Sequence, residues 1–122
     1  MVKTFPCPVE TTLYLISNRW VVLILRDLFM GTKRFGELKK SLDGISQKVL
    51  TQNLRMMEQQ NLITRTVYPE VPPRVEYSLT ELGASLKPII AAMFDWGMAY
   101  KEMNGDTVND VIIELGTILH GE

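Results

Sequence analysis

Gln47, Lys48, Thr51, Gln52 and Arg55 recur at intervals that place all five on one side of a helix. Together they offer two amides, a hydroxyl and two cations. A glutamine amide pairs with N6 and N7 of adenine, and lysine or arginine with O6 and N7 of guanine. Ser46 and Thr51 carry hydroxyls that reach a phosphate or a base edge. This is the chemistry of a helix lying in the major groove of double-stranded DNA. Taken alone, the same residues more often form an ordinary solvated helix face; it is their place between a Gly-Ile-Ser turn and a Pro-rich hairpin that favours DNA contact.

Other residues extend the set. Lys33, Arg34, Lys39 and Lys40 suit phosphates at the edge of a footprint, where contacts position a protein without reading sequence. At least one of the four is expected to be only a solvated charge. Arg74 suits a minor groove or a phosphate, or else an ion pair with Glu70 or Glu76. Cys7 precedes a helix, where the positive end of the dipole is a setting for a reactive thiol. Packing at a dimer interface is its other reading. Phe94, Trp96, Tyr100 and the seven methionines could line a ligand pocket, but their helical spacing fits core and dimer packing better.

Catalysis finds little to work with. His120 is the sole histidine and Cys7 the sole cysteine, with no metal-ligand spacing and no phosphate-cradling loop. Glu10, Arg19 and Arg26 look like anchors of the N-terminal helices. No enzyme, metal or cofactor is expected.

The elements that must hold these residues are legible in the pattern. Val9 to Ile16 reads as a short amphipathic helix with Pro8 in its first turn. Asn18 caps a second, central helix, Arg19 to Leu28. Phe35 to Ser41 forms a third, with Phe35, Leu38 and Leu42 inward. Asp43-Gly44-Ile45 turns the chain, and Ser46 caps a fourth helix, Gln47 to Gln60, whose buried stripe is Leu50, Leu54 and Met57. Leu62 to Tyr68 and Val75 to Leu79 read as a hairpin with a tip broken by Pro69, Pro72 and Pro73. In its second strand Val75, Tyr77 and Leu79 alternate with Glu76 and Ser78. Thr80 caps a fifth helix that Pro88 should kink or split. A last helix, Val108 to Leu119, carries Val111, Ile112, Leu115 and Leu119 on one face. The fold expected is mainly α with a small β-hairpin wing, a winged helix-turn-helix with flanking dimerisation helices. Residues 1–122 form a single domain: 8–29 N-terminal helices, 34–60 helix-turn-helix, 62–79 wing, 80–120 dimerisation helices.

Composition agrees. At 122 residues, 46% hydrophobic and 22% charged, the chain suits one globular domain. Mostly apolar runs such as Trp20 to Leu25 are too short to span a bilayer, and the N-terminus lacks a signal-peptide core. No membrane partner and a cytoplasmic location are expected. The net charge of -1 is unevenly spread. Residues 1–30 carry +1, residues 31–77 carry +3 and residues 78–122 carry -5. That polarity suits a DNA face at one end and a protein face at the other.

Several ordered motifs resemble one family. Cys7-Pro8-Val9-Glu10, Asn18-Arg19-Trp20, the run from Gly31 to Leu38, the run from Ile45 to Thr51, Pro72-Pro73-Arg74-Val75-Glu76-Tyr77 and Leu79-Thr80-Glu81-Leu82-Gly83 look like the HxlR-type transcriptional regulators, within the MarR-like winged-helix group. The likeness covers roughly residues 7–100, and nothing transfers onto Met103 to Glu122. It implies a bacterial, cytoplasmic homodimer on a palindromic operator. It also implies that a cysteine at the place of Cys7 can sense oxidants or electrophiles, which leaves room for an oxidant or small-molecule inducer. The function expected is sequence-specific binding of double-stranded DNA by a homodimeric repressor. The alternative is a winged helix used for protein-protein contact without DNA, which would favour an apolar or acidic fourth-helix face.

Overall fold

The computed structural model describes residues 3–121, and the side chains of all of these except Asp110 and Val111. Its elements run α1 (Pro8–Ile16), α2 (Arg19–Phe29), β1 (Lys33–Arg34), α3 (Phe35–Ser41), α4 (Gln47–Gln59), β2 (Ile63–Tyr68), β3 (Arg74–Leu79), α5 (Glu81–Ala84), α6 (Lys87–Met103) and α7 (Asp110–His120). They fall into two compact units, residues 1–84 and 85–122.

In the first unit, local chemistry sets the helix ends. The Asn18 side chain accepts the Trp20 N–H at 2.9 Å and starts α2. α4 closes on a Schellman turn: Asn61 takes φ +63°, and the Leu62 and Asn61 N–H groups reach Met57 O and Glu58 O at 2.9 and 3.0 Å. Val21, Ile24 and Leu25 of α2, Leu38 of α3 and Leu50, Leu54 and Met57 of α4 meet in the core, each at most 2% exposed. Met57 is the one methionine whose side chain is buried among the described residues. Asp27 lies in the same interior, 2% exposed, with Arg26 Nη2 at 3.1 Å from its Oδ1.

The wing holds more than a hairpin. The sheet order is β1-β3-β2, all antiparallel, with Lys33 opposite Tyr77 and Tyr77 opposite Arg65. β3 is therefore the middle strand, and Glu76 and Ser78 are half-buried where the alternation predicted exposure. β1 covers them from the other edge; Ser78 Oγ lies 2.7 Å from Thr32 Oγ1.

The fifth helix expected after Thr80 is split in two, one of the two outcomes that Pro88 predicts. The Gly83 N–H bonds to Thr80 Oγ1 at 2.9 Å, so the cap is where it was expected. The helix nevertheless stops at Ala84, and a new one starts at Lys87 with Pro88 in its first turn. Proline has no N–H to give to a preceding turn but fits a helix start.

In the second unit α6 packs against α7. Lys87 Nζ donates to Gly121 O at 3.2 Å, and His120 Nε2 lies 2.7 Å from Asp95 Oδ1. The lone histidine thus has a partner; both side chains are more than half exposed, where a pair adds little stability. Ile112, Leu115 and Leu119 sit on the covered side of α7, and the place given to Val111 lies outside the described side chains. Trp96 and Tyr100 are not core residues, at 69% and 55% exposed. Helical spacing is the same for a core face and for an uncovered one. No helix among the described residues is long and apolar enough to cross a membrane.

Candidate nucleic-acid interface

The site is built on α3, a turn and α4. The Arg34 N–H donates to Glu37 Oε1 at 2.8 Å and closes the start of α3. Leu38 and Leu42 then anchor that helix in the core, while Phe35, expected inward, is only half-buried. Gly44 takes φ +85°, a backbone that side-chain-bearing residues rarely adopt, and lets Ile45 bury at 3% exposure. Ser46 Oγ accepts the Val49 N–H at 3.1 Å and launches α4.

The inner side of α4 is Leu50, Asn53, Leu54 and Met57, all buried. Its outer side carries Gln47, Lys48, Gln52 and Arg55, all exposed, with Thr51 half-buried beside them. Ser46 is exposed at the cap. Every residue expected on the reading face is therefore brought to one open surface. Lys39 and Lys40 are exposed in the last turn of α3. Lys33 and Arg34 form the short strand β1, which no expected element covered, with Lys33 half-buried.

Arg74 is engaged. Its Nη2 lies 3.1 Å from Glu70 Oε2, its Nε 3.8 Å from Glu76 Oε2, and its guanidinium 4.0 Å from the Tyr68 ring centre. Of its two readings, the ion pair is the one formed here. Cys7 is exposed and stands at the N-cap of α1, where its side chain makes no capping bond. The site and Cys7 lie within residues 1–84.

Two features escaped the sequence reading. Asn53 is 6% exposed, donates to Val49 O at 2.9 Å and accepts from Asn18 Nδ2 at 2.9 Å. This amide chain ties the inner side of α4 to the cap of α2. Its signal was present, since positions 50, 53, 54 and 57 together make one buried arc. Arg65 on β2 shares a cleft with Gln47, Thr51 and Arg55 of α4. An isolated cation in a strand gives no such signal.

Relatives share the sequence and, among solved structures, the fold. The HTH-type transcriptional regulator YdeP of Bacillus subtilis (strain 168) is 50% identical over 96 residues, 79% of this chain and 75% of YdeP. The redox regulator HypR in its reduced form is 39% identical, with a TM-score of 0.77 over 81% of this chain and 98% of that one. Diamide-treated YodB from B. subtilis is 38% identical, with a TM-score of 0.67 over 77% and 94% of the two chains. Such proteins are transcriptional regulators and not enzymes, and so is this one. The HxlR-like helix-turn-helix family matches residues 15–105, from the end of α1 through α6 and across the whole α4 face, and the chain belongs to that family.

Proposed function

We propose that this regulator binds double-stranded DNA sequence-specifically, as a homodimeric repressor on a palindromic operator. The observation that carries the reading is α4: one side wholly buried, the other an open row of amides, hydroxyls and cations. A protein-docking helix would favour an apolar or acidic row there. Two such helices related by a two-fold axis would enter successive major grooves about 34 Å apart.

Mutation separates reading from holding. Gln47→Ala or Gln52→Ala is expected to weaken operator binding by about 1–3 kcal/mol and blur preference at one base pair per half-site. Lys39→Ala or Lys40→Ala should weaken binding to all duplexes alike and flatten its salt dependence. Anisotropy titrations on selected and scrambled duplexes check both. Uniform loss in the glutamine variants would show that α4 does not read bases.

Two uncovered apolar faces support the dimer. α1 exposes Val9 (74%), Leu13 (58%) and Tyr14 (45%). α6 exposes Ile89, Met93, Trp96, Tyr100 and Met103, alternating four and three residues apart. That is the spacing of a helix-helix seam.

The exposed Cys7 and the redox names of HypR and YodB support oxidant control. Diamide would take two electrons and two protons as Cys7 joins a second thiol, from the partner protomer or a small thiol, in a disulfide. DNA release should follow and be reversed by thiol reductants, while Cys7→Ser binds DNA and ignores diamide. Equal loss in wild type and Cys7→Ser would place the effect elsewhere.

A further inference from the structure

We infer that the cleft between α4 and the sheet is a clamp for one backbone phosphate, held jointly by Arg55 and Arg65. The inference rests on the DNA-binding reading and adds to it a site and a residue.

The cleft measures about 420 Å³. From α4 it takes Gln47, Thr51, Arg55 and Glu58; from the sheet it takes Arg65 and Tyr77. Arg65 and Tyr77 are direct cross-strand partners, so their side chains share one face of the sheet. Tyr77 is 7% exposed and makes a firm floor, while Arg65 and Arg55 are exposed at the mouth. Neither arginine makes an ion pair or a side-chain hydrogen bond among the described residues. The contrast with Arg74, held by two carboxylates on the same sheet, is direct.

Two uncommitted guanidinium groups beside an amide and a hydroxyl suit the two non-bridging oxygens of a monoanionic phosphodiester. Glu58 at the rim opposes it and does not cancel it: two cations face one anion. The clamp adjoins Gln47 and Thr51 on the reading face, so a phosphate held there would fix how deep α4 sits in the groove. Such a contact positions without reading bases.

The test uses the full chain, an operator duplex selected from genomic fragments and a scrambled duplex, titrated between 50 and 200 mM KCl, the range over which phosphate contacts of roughly this kind are resolved. Arg65→Ala should weaken both duplexes by the same factor, about tenfold, and reduce the salt slope by about 0.9. Arg55→Ala should do the same. The double variant should lose about 0.9 in all, because one phosphate is shared. Arg65→Lys should keep the slope, and Glu58→Gln should tighten both duplexes. Both arginines are exposed, so melting curves should not move.

Inorganic phosphate at matched ionic strength separates the sources. Competition in wild type but not in Arg65→Ala supports a clamp open to free phosphate as well; no competition supports one that takes only the diester. An unchanged slope in Arg65→Ala overturns the clamp, as does a base-specific effect of Arg55→Ala or a double-variant loss twice that of each single. A wild-type chain that binds no duplex removes the DNA reading itself.

Discussion

Gly83→Ala is expected to destabilise the first unit by about 3 kcal/mol, at the upper end of overpacking costs. A Cβ at this position would stand 2.0 Å from Leu62 O and 3.0 Å from Leu62 C, with Leu79 Cδ2 at 3.2 Å. The obstacle is backbone, so no rotamer change relieves it. Nor is that backbone free to retreat. Leu62 O accepts the Thr80 N–H at 3.0 Å, and Thr80 Oγ1 donates to Asn61 O. Leu62 and Ile63 are themselves core residues at 2% exposure. α5 is thus stitched to the turn that leads from α4 into β2, and added bulk pries that turn open. Thermal unfolding should fall by about 12–24 °C for a unit of this size. Because the turn joins α4 to the wing, DNA affinity should also fall in proportion to the folded fraction. A change under about 1 kcal/mol would mean that α5 does not dock on Leu62 in solution.

The elements that were legible in the sequence are those fixed by neighbours in the chain. Pro8, Asn18, Ser46 and Thr80 start helices where their local chemistry requires, and α3 has the bounds its pattern predicts. The exposed face of α4 follows from the same logic, since Leu50, Leu54 and Met57 leave only one way to turn it. What was not legible depends on distant partners. β1 is two residues long, too short for any period, and exists only because β3 lies beside it. Its presence changes the burial of Glu76 and Ser78, which periodicity had placed outside. Arg65 becomes part of the site only when β2 folds alongside α4. Asn53 was readable as position but not as chemistry; a polar residue inside an apolar arc needs a partner, and Asn18 is 35 residues away.

The largest functional loss should come from the seam on α6. Met93→Glu combined with Trp96→Glu is expected to yield a folded monomer whose operator affinity falls by about a thousandfold, toward its non-specific level. Met93 and Trp96 are 46% and 69% exposed at the centre of the row from Ile89 to Met103. Trp96 is already set against Tyr100, ring centres 5.2 Å apart and 13° from parallel, which presents one broad apolar surface. The positions flanking the row are Ala92, Gly97 and Ala99, small enough for a second helix to approach closely. Carboxylates inside such a contact lose water without gaining partners, at a cost of several kcal/mol. On the single chain the same positions face solvent, so the variant should stay folded, and its melting temperature should fall only by what dimer formation adds and no longer depend on protein concentration. In the proposed dimer each half-site alone would supply only part of the specific free energy. Sedimentation at micromolar concentration and titration on one-site and two-site duplexes measure the two effects. A double variant that stays dimeric, or a monomer that keeps full two-site affinity, would show that α6 is not the surface that pairs the reading helices.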